Sequence, residues 1–185
     1  MAAYTWVGTT DNWSTNTNWS PTAPVGGPTS VDTVTINNNK PCTVTANSNC
    51  LTIDFTGYTS TFKINNAITL TVFGTAITLG SGMTYDQTTT GVLSTRGDQT
   101  AITITFAGKV IPYLTLGKTT AGTTQTVTIS GTTPTVTNLV ITNGASNAQT
   151  TLAGPSLTIT TFNLDRKSTR LNSSHEWISR MPSSA

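Results

Sequence analysis

From residue 31 onward, apolar side chains recur at every second position in short runs separated by turn-forming residues. The runs fall at 31–36, 42–45, 51–55, 61–64, 68–73, 76–79, 102–106, 114–116, 126–129, 136–141 and 157–164. Thr126-Val127-Thr128-Ile129 and Leu157-Thr158-Ile159-Thr160 show the rule, with Val, Ile or Leu alternating with threonine. Successive side chains of a strand point to opposite faces, so each run predicts a strand with one apolar and one hydroxylated face. None has a helical period. The intervening Asn37-Asn38-Asn39, Asn65-Asn66, Gly80-Ser81-Gly82, Ser130-Gly131 and Asn143-Gly144 are turn formers that tolerate positive φ. The chain is therefore expected to be all-β.

Two architectures use such strands. A Greek-key β-sandwich turns every 8–12 residues or so, whereas a parallel β-helix stacks coils of about 20–25 residues. Thr103 and Thr126, like Thr135 and Thr158, are 23 residues apart by subtraction, which suits one coil. A right-handed parallel β-helix is thus the expectation and a β-sandwich the alternative. The Thr-x-Thr units at 33–35, 43–45 and 69–71 resemble those of ice-binding β-solenoids. That use needs hydroxyls in strict register over many coils. Because the spacings along the chain wander, the β-propensity of threonine is the simpler account here.

Residues 1–30 are set apart by Trp6, Trp13 and Trp19, by three prolines, and by many Asn, Thr and Gly. Such punctuation makes irregular structure, with a short strand expected near Tyr4 to Val7. Each indole can bury about 150–250 Å². The segment is read as an aromatic cap over the open end of the repeats, which occupy residues 31–164 and are cut short at about Leu164. The three tryptophans, interleaved with Asn and Asp11, are also the candidate ligand-binding residues, since aromatic faces beside amides suit sugar rings. Asn12-Trp13-Ser14 and Asn18-Trp19-Ser20 have the form of glycosylation acceptors, a use confined to secreted eukaryotic chains.

Beyond Leu164 the text changes. Residues 165–175, Asp-Arg-Lys-Ser-Thr-Arg-Leu-Asn-Ser-Ser-His, resemble an in-frame translation of a short-read sequencing adapter, and 176–185 resemble its continuation. This segment is left out of fold reasoning. Its removal matters for charge: Lys40, Lys63, Arg96, Lys109 and Lys118 then balance Asp11, Asp32, Asp54, Asp86 and Asp98, so the formal +2 of the whole chain belongs to the tail. A neutral body gives no electrostatic reason to expect nucleic acid or an anionic membrane as partner. Charged residues are 9% of the chain, against about a quarter in ordinary soluble domains, which points to extracellular or particle-bound β structure. No apolar run reaches the roughly 18 residues of a membrane span. The N-terminus has no basic region or apolar stretch of a secretory signal, so release within a lysing virus particle is one route to a surface.

Candidate chemistry is sparse. Cys42 and Cys50 are the only cysteines and the body has no histidine, so neither a zinc site nor a cofactor is expected. The pair is either one disulfide or two half-buried thiols, and the missing signal favours thiols. Asp86, Arg96 and Asp98 form the densest charged group. Glycoside hydrolysis wants two carboxyls at a set separation, one with a raised pKa. Here the aspartates sit in a Thr- and Gly-rich stretch without partners of that kind, so a solvated turn is expected and no catalytic residue is assigned. Gly80-Ser81-Gly82 lacks the Lys-Ser/Thr and the helix of a phosphate loop.

The pattern Tyr4-Thr5-Trp6, Asn12-Trp13-Ser14, Asn18-Trp19-Ser20-Pro21, followed by Ser30 to Ile36, Leu51 to Tyr58 and Leu79 to Met83, resembles the N-terminal region of β-helical repeat proteins of tailed phages and of bacterial adhesin-type surface proteins. The resemblance covers most of the body. It implies a structural protein of a virion, tail or fibre-like, with a role in host attachment. An adhesin-type or carbohydrate-binding β-helix module and a fragment of a polysaccharide-degrading β-helix enzyme are the alternatives. The implied partners are further copies of the chain, other virion or surface proteins, and cell-surface glycans.

Overall fold

The structure, a computed structural model, describes residues 1–96, 99–118, 123–143 and 149–164. It is a parallel β-helix of about five turns. The sandwich alternative falls because, apart from one N-terminal pair, the strands pair in parallel with the strand one coil away, which a hairpin-built sandwich does not do.

The chain begins with β1 (Ala3–Trp6), a single 3-10 turn at Asn16–Asn18, and β2 (Trp19–Ser20), which returns antiparallel beside β1. Three three-sided coils follow. The first comprises β3 (Thr33–Thr35), β4 (Cys42–Val44) and β5 (Ser48–Cys50). The second comprises β6 (Thr52–Asp54), β7 (Thr61–Ile64) and β8 (Thr69–Val72). The third comprises β9 (Ala76–Thr78), β10 (Thr84–Tyr85) and β11 (Val92–Arg96). Later coils have two long strands each: β12 (Ala101–Ala107) with β13 (Val110–Lys118), β14 (Thr124–Thr132) with β15 (Thr135–Asn143), and β16 (Gln149–Ala153) with β17 (Thr158–Leu164).

Stacking produces three sheets. The first has eight strands in the order β16-β14-β12-β9-β6-β3-β1-β2; the second, β10-β7-β4, stops after the third coil; the third runs β17-β15-β13-β11-β8-β5. The predicted alternation sets what lies inside. Val34, Ile53, Ile77, Ile104 and Ile129 form one inward rank of the first sheet, each at most 2% exposed. Leu70, Leu93, Leu114 and Leu139 form the opposing rank of the third. Burial of each such side chain contributes about 1.5–3 kcal/mol, so the ranks hold the coils together.

The coils are unequal. Positions 34, 53, 77, 104 and 129 are successive register partners, 19, 24, 27 and 25 residues apart by subtraction. The 23-residue repeat expected from threonine holds for Thr135 and Thr158, which are partners, but Thr103 pairs with Thr128 and not with Thr126. Corners absorb the difference. Where the chain leaves the first sheet it crosses directly above the coil beneath: a Cβ on Gly80 would run into the Phe55 carbonyl oxygen, and one on Gly131, at φ +87°, into that of Phe106. Only glycine allows so close an approach.

The change from three sides to two is made within strands. In β13, Ile111 and Leu114 are both buried, although residues three apart in a regular strand face opposite ways. The strand therefore bends at Pro112-Tyr113 and turns the corner in its own length. Val136 and Leu139 repeat the bend one coil on, and the Asn138 amide donates to the Pro112 carbonyl across it at 3.3 Å.

Candidate functional site

The three candidate tryptophans come together, but inside. Trp6 and Trp13 are 0% exposed and Trp19 is 2%. Trp19 stands edge-on to both, with ring centroids 4.9 Å from Trp6 and 4.8 Å from Trp13 at interplanar angles of 71° and 75°. Its indole N–H donates to the Trp13 carbonyl at 2.8 Å. Such edge-to-face packing adds about 0.5–1.5 kcal/mol per pair beyond area burial. No indole face lies open to solvent, so a sugar could stack on one only after this packing opened. The residues are cap core, and β1 and Asn12 tie them to the sheets: β1 pairs with β3, and Asn12 bridges to Thr43 of β4.

A residue that the sequence showed only as part of an acceptor motif organises this region. Asn18 is 0% exposed. Its side-chain carbonyl accepts from the Thr9 hydroxyl (2.6 Å) and the Thr10 backbone N–H (2.8 Å), while its amide donates to the Thr10 hydroxyl (2.8 Å) and the Asn12 carbonyl (2.7 Å). Every polar valence is used, as a buried amide requires. With its amide nitrogen committed inside, Asn18 has no room for an attached glycan. The partly exposed Asn12 side chain accepts from the Ser14 N–H and the Thr45 hydroxyl, both at 2.9 Å.

The carboxylates described serve turns and ends. Asp86 accepts from the Thr88 hydroxyl at 2.6 Å and the Thr88 N–H at 2.8 Å, and Lys63 Nζ stands 3.9 Å away. The Thr88 hydrogen bonds, aided by Lys63, hold its carboxyl below the usual range against some desolvation. A general acid needs the opposite shift. Asp98 lies outside the described residues, as does the Arg96 side chain. Asp54 accepts from the Thr56 N–H at 2.8 Å. Asp32 is nearly buried; desolvation pushes its pKa up, but the Thr29 hydroxyl and the Thr29 and Ala2 N–H groups, with the N-terminal charge, outweigh it and the net shift is down.

Cys42 and Cys50 are free, fully buried thiols. They face inward from different sheets, beneath Phe62 and Val72 respectively. Desolvation raises both pKa values, Cys42 well above the ordinary thiol range, which disfavours the thiolate and leaves them inert. Among the described residues no group of three His, Cys, Asp or Glu side chains stands close enough to hold a metal.

The accessible features are a face and an end. Outward on the first sheet, Thr33, Thr52, Ala76, Thr103 and Thr128 are successive register partners. Two residues along each strand, Thr35, Asp54, Thr78, Thr105 and Ser130 form a parallel rank. At the far end, a hollow of about 450 Å³ opens between Ile129, Leu152, Pro155, Leu157 and Ile159. Among the described residues no helix is long and apolar enough to cross a membrane. No protein-family model, no curated protein and no solved structure matches the chain.

Proposed function

We propose that the chain is a structural surface protein, a tail- or fibre-like component of a virion with a role in host attachment. The observation that carries the reading is the unbroken parallel stacking of the first sheet from β3 to β16, through a change of cross-section. A solenoid transmits its shape from coil to coil through backbone hydrogen bonds and inward ranks, which makes it a spacer and a display surface. The described carboxylates spend their acceptor capacity on turns and on the N-terminus, which is a scaffold's use of charge. The resemblance of residues 4–21 and the strands after them to phage and adhesin-type β-helices supplies the setting.

The test is fractionation of cultures that carry the gene, with detection of the chain by mass spectrometry. Co-sedimentation with purified particles is the expected result. Recovery on intact cell surfaces would move the protein to the adhesin class, and recovery only in the soluble lysate would remove the surface role. Polysaccharide turnover that disappears in Asp86→Asn would replace the scaffold reading with an enzymatic one.

A further inference from the structure

We propose that the outer face of the eight-stranded sheet binds ice, its in-register ranks of threonine hydroxyls and methyls holding a layer of ordered water. The proposal goes beyond the scaffold role and does not depend on whether the protein sits on a virion or a cell.

The uneven spacing of Thr-x-Thr units along the chain argues against such a surface, but that argument fails in three dimensions. Coils of 19, 24, 27 and 25 residues nevertheless bring Thr33-Val34-Thr35, Thr52-Ile53-Asp54, Ala76-Ile77-Thr78, Thr103-Ile104-Thr105 and Thr128-Ile129-Ser130 into one register, each central residue inward and both neighbours outward. The variable length is taken up elsewhere in each coil. Strands stand about 4.8 Å apart and alternate residues about 6.7 Å apart, so the ten outward positions form a two-dimensional grid. Eight of the ten carry a hydroxyl, counted from the five triplets above.

Three further observations favour frozen water over a protein or glycan occupant. Asp54 is the only ionisable group on the grid, and it is tied back to the Thr56 N–H. Without charge or aromatic rings, the grid offers neither the steering of a protein interface nor the stacking plates of a sugar site. Neighbouring hydroxyls keep to the grid: Thr105 Oγ1 and Ser130 Oγ lie 3.0 Å apart, sharing one hydrogen and leaving acceptor positions for water. Third, the grid belongs to the one face that survives the change of cross-section. The second sheet ends at β10 and the third bends at Pro112-Tyr113, whereas the first continues to β16. The corresponding outward rank of the third sheet is mixed: Asn49, Thr71, Ser94, Thr115, Val140 and Asn163. A methyl-bearing hydroxyl is suited to this task, since the methyl limits the directions in which bound water can hydrogen-bond while the hydroxyl anchors it.

The experiment is slow growth of an ice shell from a dilute solution of the full chain, with protein measured in ice and liquid, alongside recrystallisation inhibition in a frozen film. The expected result is several-fold enrichment in ice over an inert control protein and arrested grain growth. Thr103→Lys with Thr128→Lys, which plants two ammonium groups in the grid, should abolish both effects, while Thr115→Lys on the third sheet should leave them. If the lysine pair lowers the β-sheet circular dichroism, Thr103→Tyr with Thr128→Tyr disrupts the grid by bulk with residues that favour strands. Exclusion of the wild type from ice overturns the proposal. So does enrichment that a folded grid variant retains.

Discussion

At the N-terminal end Trp6, Trp13 and Trp19 are 0%, 0% and 2% exposed, whereas at the C-terminal end Leu152 and Phe162 are 38% and 46% exposed. The residue types are equally apolar, and the C-terminal pair occupies inward ranks: Leu152 is the register partner of Val127, and Phe162 of Leu139, both 0% exposed. What differs is the next layer. At the N-terminal end, β2 turns back antiparallel along β1 and the Asn18 network holds the indoles against the first coil. After β17 no described residue covers the hollow beside Ile129 and Leu157. In a solenoid a coil is buried only by its neighbours, so exposure reports position in the stack and not side-chain chemistry.

The sharpest way to break this comparison is the same truncation at both ends. Trp19→Ala should cost about 3–5 kcal/mol in urea unfolding, as loss of a fully packed indole does, while Phe162→Ala should cost less than about 1 kcal/mol. Equal losses would mean that the C-terminal coil is covered in solution. Next in size is Asn18→Ala, expected to cost roughly 2–4 kcal/mol because it strands buried donors and acceptors around Thr10 and Asn12. A loss limited to the first coils, seen as faster hydrogen exchange at β1 and β3 but not at β15, would place its effect in the cap. The smallest effect concerns pH. The folded-state pKa of Asp32 is depressed, so its contribution is complete above the unfolded carboxyl value of about 3.9 and is lost as pH falls through the folded value. Melting temperatures of wild type and Asp32→Asn should therefore differ by a constant amount near neutrality and converge in acid. A gap that persists at pH about 2 would assign the effect to packing around Thr29 and not to charge.

The triangular and flattened halves differ in how well local pattern reveals them. The runs at 61–64, 126–129 and 136–141 contain observed strands or lie within them, because alternation of Val, Ile, Phe or Leu with polar residues is strict there. Strands β5, β10 and β16 were not legible: Ser48-Asn49-Cys50, Thr84-Tyr85 and Gln149 to Ala153 contain too few apolar residues to alternate visibly. β11 escaped for a related reason, since Ser94 and Thr95 are buried polar residues in a strand whose register is set by β8 and β13. These segments pair because a stronger strand lies above or below them.

The tryptophans carried two readings in sequence, a core and a platform, because an indole serves both. Only packing decided, by placing Trp19 between the other two rings. Asn18 had one local signal, a polar residue flanked by Thr17 and Trp19 in an aromatic cap, and nothing in that signal distinguishes a buried amide from an exposed one.

By itself the sequence determined the all-β class, the apolar and hydroxylated sides of most strands, and the separateness of residues 1–30, because a period of two and a cluster of indoles are local properties. The tertiary structure decided the register between coils, the change from three sides to two, which apolar residues meet water, and the alignment of threonine into ranks. Register depends on how many residues each corner absorbs, and that number is fixed by backbone contact between one coil and the next, as where Gly131 crosses the Phe106 carbonyl. No window of sequence shorter than two coils contains both partners of that contact.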